Sequence, residues 1–220
     1  MKPLKDCRLY GFVDTAYFNG RTPETICRAL CDGGSDLIQI RAKKESADWV
    51  RVCAEKLLPI TTAAGVRLVI NDHLEVALQI GAPVCHLGQE DFFEAGFTQL
   101  SQLHPASGIG HPGSFPLIGL SSHAPEQAQR AVAAGADYIA VGPVFPTGTK
   151  PGRAAVTLDY VRWAAANLTV PWFAIGGITL ENLDSVLEAG ATRVCVVSAI
   201  LNSKDITTAT AEFKRRLPRP

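Results

Sequence analysis

Short apolar runs alternate with longer amphipathic stretches along nearly the whole chain. The apolar runs predict strands at Leu9–Asp14, Leu37–Arg41, Arg67–Asn71, Val84–Leu87, Leu117–Ser121, Tyr138–Gly142, Trp172–Gly176 and Arg193–Val197. They are rich in Val and Ile, and several are apolar on both faces, as expected of parallel strands covered on both sides. Between them, periodicity predicts helices over Pro23–Cys31, Ala47–Ala64, Leu74–Ile80, Pro125–Ala134, Leu158–Asn167, Leu180–Glu188 and Thr207–Arg216. A weak repeat marks the junctions. Asp32-Gly33-Gly34, Ile80-Gly81-Ala82, Ala134-Gly135-Ala136 and Ala189-Gly190-Ala191 each stand just before a strand, where glycine can close a helix in the left-handed conformation.

A βα unit repeated about eight times predicts a closed (β/α)8 TIM barrel. The alternative is an open doubly wound sheet, but no Gly-x-Gly-x-x-Gly follows the first strand, where such a fold would carry its dinucleotide site. His104–Pro116 (HPASGIGHPGSFP) breaks the rhythm. Rich in Gly and Pro, it reads as a surface connection replacing part of a barrel helix.

Composition narrows the picture. The chain has 220 residues, 47% hydrophobic and 19% charged, which fits one barrel domain spanning residues 1–220 and is far from the composition of a disordered polymer. Lys plus Arg and Asp plus Glu both number 21, so the formal charge is zero. That balance argues against a nucleic-acid partner recruited by bulk electrostatics. No apolar run is long enough to span a bilayer, and Met1–Tyr10 lacks a secretory leader's apolar stretch. A cytoplasmic protein with no membrane partner is expected, and a homo-oligomer is compatible with the composition. None of the six cysteines forms a Cys-x-x-Cys pair or a zinc-type spacing. They read as small core side chains.

In a barrel of this kind, chemistry gathers at the C-terminal strand ends. On the second strand, alternation puts Gln39, Arg41 and Lys43 on one face, climbing the inner wall, while Ile38 and Ile40 face the helices. Two cations on an inner face imply an anionic partner; the alternative is an internal salt bridge near the rim. The third strand ends in Asn71-Asp72, and beyond the fourth lies Gln89-Glu90-Asp91. Carboxylates at a basic mouth would compete with phosphate for its cations, unless a hard divalent ion such as magnesium bridges the two. The plainer readings are a helix cap for Asp72, ahead of Leu74, and a loop-ordering side chain for Asp91.

After the sixth strand, Gly142–Lys150 offers two hydroxyls and an ammonium on a tight segment, suited to phosphate oxygens or simply to a turn. Gly176-Gly177 and Val197-Ser198 end the seventh and eighth strands, where barrels often hold a phosphate. His86 reads as a satisfied core or rim residue. His123 is the one histidine placed for proton transfer at the mouth.

Taken together, Gln39-x-Arg41-x-Lys43, Asn71-Asp72, His86-Leu87-Gly88-Gln89-Glu90-Asp91, Gly119-Leu120-Ser121, Thr147-x-Thr149-Lys150, Ala174-Ile175-Gly176-Gly177-Ile178 and Val197-Ser198 make the sequence similar to the thiamine-phosphate synthase family. The resemblance runs from the first strand to the eighth. It implies a magnesium-dependent transferase that joins hydroxymethylpyrimidine diphosphate to a thiazole phosphate and releases pyrophosphate. It also implies that Gln39, Arg41, Lys43, Asn71, Ser121 and Lys150 hold the pyrimidine diphosphate, with Arg41, Lys43, Ser121 and Lys150 carrying the catalysis. Asp72 and Asp91 would bind magnesium, and Thr147, Thr149, Gly177, Val197 and Ser198 the thiazole phosphate. The chain departs from the family in two places: Gly148 stands where proline is usual, and His104–Pro116 replaces a segment more often helical and arginine-containing. The alternatives are a thiazole tautomerase of the sister family, kept open by His123, and a non-catalytic barrel that binds a phosphorylated metabolite.

Overall fold

The computed structural model describes residues 1–104, 115–148 and 155–218. Eight parallel strands close into a barrel in sequence order: β1 Leu9–Asp14, β2 Leu37–Arg41, β3 Arg67–Asn71, β4 Val84–Leu87, β5 Leu117–Ser122, β6 Tyr138–Val141, β7 Trp172–Ile175 and β8 Val194–Cys195. The ring closes where Leu9 and Tyr10 of β1 pair with Val194 and Cys195 of β8. This is the (β/α)8 architecture that the alternation of apolar runs predicts.

Helices α1 Pro23–Asp32, α2 Ala47–Ala63, α3 Leu74–Ile80, α4 Pro125–Ala133, α5 Thr157–Asn167, α6 Leu183–Glu188, α7 Ser198–Leu201 and α8 Ile206–Arg216 lie outside the strands. Several starts have a local cause. Thr22 accepts from the Thr25 amide ahead of Pro23, Ser46 caps α2 through Trp49, and Asp205 caps α8 through Thr208. At all four repeat junctions a glycine has positive φ: Gly34 at 91°, Gly81 at 66°, Gly135 at 91° and Gly190 at 99°. The repeat is therefore a repeated helix ending, in the conformation where a Cβ is costly.

Between β4 and β5, the described residues form one π-turn at Glu90–Glu94 and a 3-10 turn at Leu100–Leu103. Residues 105–114 of the irregular connection lie outside the described residues. Helix α6 begins three residues later than the periodicity predicts. There Asn182 closes the loop, accepting from the Thr179 amide at 2.8 Å and donating to the Gly177 carbonyl at 2.9 Å.

The barrel interior is aromatic. The Tyr10 ring stacks on Phe12 at 5.2 Å and meets Phe173 edge-on at 5.5 Å, and Tyr138 meets Phe173 at 5.7 Å. Gly119 makes this possible, because a Cβ there would lie 2.0 Å from the Tyr138 ring. At the opposite end from the strand termini, the buried Asp36 carboxylate ties the two chain ends together. It accepts from Lys2 Nζ at 2.7 Å, from the Arg8 amide at 2.7 Å and from Lys214.

Candidate active site

At the C-terminal ends of the strands lies a cavity of about 450 Å³, to which every strand or the residues just beyond it contribute. Its wall includes Gln39, Arg41, Lys43, Asn71, Asp72, Asp91, Ser121, Thr147, Gly177, Val197 and Ser198. The structure thus brings together all the expected site residues that it describes. Thr149 and Lys150, expected at the same mouth, lie outside the described residues.

The two cations at and just beyond the end of β2 already have partners. Arg41 Nη1 donates to Asp14 Oδ2 at 2.7 Å, and Lys43 Nζ donates to Asp72 Oδ2. The salt-bridge alternative is thus present for Arg41, whose partner is buried, while the Lys43 pair is solvent-facing and leaves the expected anionic partner open. The two pairs differ in solvation. The Asp14 side chain is 1% exposed and Arg41 13%, whereas Lys43 is 48% exposed, so Lys43 can exchange partners at little cost. Asp14 is a site neighbour that sequence reasoning missed. It closes the first apolar run and was open to the same strand-end rule.

Asp72 is not the cap of α3. The N-cap is His73, which makes no side-chain cap hydrogen bond. Asp72 has φ 66°, uncommon for a residue with a Cβ. Its amide donates to the His86 carbonyl at 2.9 Å. Its carboxylate accepts from Asn71 Nδ2 at 2.6 Å as well as from Lys43. Backbone strain of this kind tends to gather where side-chain placement matters. Asp91, in the π-turn, accepts from the Gly88 amide at 3.2 Å while lining the cavity. The loop-ordering reading of this carboxylate is thus correct as far as it goes.

On the far wall, Gly176 and Gly177 have φ 103° and 64°. A Cβ at Gly177 would stand 2.7 Å from the Pro146 carbonyl oxygen, so the β6 and β7 loops touch where only glycine fits. His123 reaches the mouth, with its Nδ1 on the Gly142 carbonyl, which can only accept. His86 is buried, as expected of a core histidine, but it also lines the cavity and contacts Ser121 Oγ at 3.0 Å. A further link holds that strand end, since Gln89 Nε2 donates to the Ser121 carbonyl.

A model of a family described as thiamine monophosphate synthase matches residues 9–200. The chain belongs to the thiamine monophosphate synthase family. It is 45% identical over 198 residues to the thiamine-phosphate synthase of Thermus thermophilus, covering 86% of each chain. It is 43% identical over 222 residues to that of Acidothermus cellulolyticus, covering 97% of this chain and 96% of the relative. Among solved structures, a thiamine phosphate pyrophosphorylase from Pyrococcus furiosus matches with a TM-score of 0.82 at 26% identity, over 97% of this chain and 96% of that one. A 3-hexulose-6-phosphate synthase matches with a TM-score of 0.64 at 17% identity and shares the fold alone.

The charges of this barrel bear on the metal that the family resemblance implies. Among the described residues, the cavity wall carries the carboxylates Asp72, Glu90 and Asp91 against the cations Arg41 and Lys43. A divalent cation at such a wall would add positive charge for an entering diphosphate. Among the described residues no group of three or more His, Cys, Asp or Glu forms a ready metal cage. Two carboxylates completed by substrate oxygens and water are a donor set that suits magnesium, so the residues fit that ion.

Proposed function

We propose that the cavity at the strand ends joins an aminopyrimidine, carried as its hydroxymethyl diphosphate, to a thiazole phosphate, giving thiamine phosphate and pyrophosphate. The observation that carries this reading is the convergence of Arg41, Lys43, Asp72, Asp91, Ser121, Thr147, Gly177 and Ser198 around one cavity, together with the family membership. The reading needs only small phosphorylated substrates. The six unpaired thiols support placing it in the reducing cytoplasm.

Magnesium held by Asp72 and Asp91 would supply hard positive charge to the diphosphate oxygens. The rest of the chemistry falls to the chain. The bond from the pyrimidine methylene carbon to the diphosphate oxygen breaks, and its electron pair leaves with pyrophosphate. The thiazole nitrogen then gives its lone pair to the cationic carbon. Charge on the leaving group grows during the first step. Arg41, Lys43 and Lys150 are placed by this reading to meet it, and stabilisation that is stronger in the transition state than in the substrate raises the rate. Gln39 and Asn71 orient the pyrimidine. Thr147, Thr149, Gly177, Val197 and Ser198 hold the thiazole phosphate at the opposite wall, where the glycine backbone leaves room for it.

The test is pyrophosphate release from purified protein with both substrates, with and without EDTA. Turnover should stop in EDTA. Arg41→Ala and Lys150→Ala should each lower kcat on the order of 100-fold, the effect of losing one preorganised donor. Full activity in both variants would put the diphosphate elsewhere. Thiazole isomerisation without any pyrimidine would replace this reading with the tautomerase, and binding without turnover would replace it with a sensor.

A further inference from the structure

A chain of side-chain hydrogen bonds crosses the barrel interior and joins two parts of the cavity wall. It starts at Asp72, whose carboxylate accepts from Asn71 Nδ2 at 2.6 Å. Asn71 Oδ1 accepts from Gln39 Nε2 at 2.9 Å, and Tyr10 Oη lies 3.3 Å from Gln39 Oε1. The Tyr10 and Tyr138 hydroxyls are 3.1 Å apart, Tyr138 Oη lies 3.1 Å from His86 Nδ1, and His86 Nε2 lies 3.0 Å from Ser121 Oγ. Distances alone leave the direction of the last three links open.

The ends and the chemistry of each group settle the direction. A carboxylate that takes hydrogens from Lys43 and Asn71 is acceptor-only. Asn71 must therefore turn its amide nitrogen to Asp72 and its oxygen to Gln39. Gln39 must then give its nitrogen to Asn71 and its oxygen to Tyr10, so the Tyr10 hydrogen goes to Gln39. Burial pushes both phenols well above their ordinary pKa, so each is neutral and has one hydrogen to give. With its own hydrogen committed, Tyr10 accepts from Tyr138. With its hydrogen committed in turn, Tyr138 accepts from His86 Nδ1. In the neutral imidazole one nitrogen carries the hydrogen and the other accepts. With one hydrogen on the ring, Nε2 is then the acceptor, and the Ser121 hydroxyl donates to it.

We propose that this relay makes His86 a positioning residue: it fixes the Nδ1–H tautomer, draws the Ser121 hydrogen inward, and presents the Ser121 oxygen to the cavity as an acceptor. An acceptor repels a phosphate oxygen. It matches an N–H donor or a carbon gaining positive charge. Resting on the proposed function, this places the aminopyrimidine ring and its exocyclic amine against Ser121, and the diphosphate toward Arg41 and Lys43. Tyr10 and Tyr138, both buried in the barrel core, thereby set the polarity of a cavity-wall residue.

Long-range proton–nitrogen NMR of the full chain labelled in histidine reads the tautomer directly, with the His86 signals identified by their loss in His86→Gln. The expected spectrum has a protonated Nδ1 and an unprotonated Nε2. An Nε2–H tautomer or an imidazolium overturns the relay. Tyr10→Phe, which does not contact His86 through its hydroxyl, should give mixed tautomers; an unchanged spectrum in the folded variant also overturns it. Calorimetry then separates the ligands. Ser121→Ala should weaken the unphosphorylated aminopyrimidine alcohol by about tenfold, the value of one lost hydrogen bond, and leave pyrophosphate with magnesium unchanged. The reverse pattern overturns the substrate assignment. Failure of both ligands to bind the unaltered protein sinks the proposed function and the substrate assignment with it, while the tautomer spectrum still decides the relay.

Discussion

Replacing Asp14 by Asn removes one charge from a pair shielded from water and leaves the shape nearly unchanged. Asp14 Oδ1 accepts from the Ala16 amide at 3.0 Å, a bond that an Asn oxygen can keep, while Oδ2 takes Arg41 Nη1 at 2.7 Å. Removing one member of a fully buried ion pair costs about 3–5 kcal/mol, because the other charge is left uncompensated. Arg41 is 13% exposed at the cavity, so water recovers part of that loss, and a charge-assisted hydrogen bond of about 2–3 kcal/mol is the better measure. For a chain of this size, that corresponds to a drop in Tm of about 5–10 °C. Adding pyrophosphate with magnesium should narrow the gap, since the Arg41 guanidinium gains an anion in place of the lost Asp14 charge. Scanning calorimetry of Asp14→Asn, Arg41→Met and the double variant tests the reasoning. The expected cycle is non-additive by more than about 1 kcal/mol. A single-variant Tm equal to that of the unaltered protein, or strict additivity, would refute it.

Two further outcomes follow from the same geometry. Burial raises the Asp36 carboxyl, but Lys2, Lys214 and the Arg8 and Leu9 amides outweigh it and hold the group below its ordinary range. Its stabilisation is therefore complete above the unfolded value and fades as pH falls through the folded one. Urea unfolding should show Asp36→Asn about 2–3 kcal/mol less stable at pH 7, with the difference shrinking as pH falls below the ordinary Asp value of about 3.9; a constant difference would contradict the sign. At Gly177, with φ 64° and a Cβ position 2.7 Å from the Pro146 oxygen, alanine should cost about 1–2 kcal/mol from the backbone alone. Steady-state kinetics should show KM for the thiazole phosphate rising more than KM for the pyrimidine diphosphate, and equal changes would place the phosphate elsewhere.

The barrel was legible because its strands are continuous apolar runs and its helices end on repeated glycines, both of which are local signals. Edges were less so. The run Arg193–Val197 reads as a five-residue strand, yet only Val194 and Cys195 pair, since pairing depends on the neighbouring strands. The convergence of Gln39, Arg41, Asn71 and Ser121 followed from alternation plus the rule that strand ends share one face. Three features needed the third dimension. The partnership of Asp14 with Arg41 spans 27 positions in sequence. The left-handed backbone at Asp72 turns a would-be helix cap into the cavity. Tyr10 and Tyr138 look like ordinary core residues to any periodicity, because only their hydroxyls are polar.

The knot around Asp36 has a practical side. Lys2 and Lys214 reach the same carboxylate, and Arg8 Nη1 donates to the Pro218 carbonyl at 2.6 Å, so the first and last described residues sit on the floor of the cylinder, away from its open end. A purification tag, fluorescent reporter or fused enzyme attached at either extremity would hang beneath the catalyst without shadowing its entrance. A short peptide bridge between the extremities would leave that entrance untouched as well.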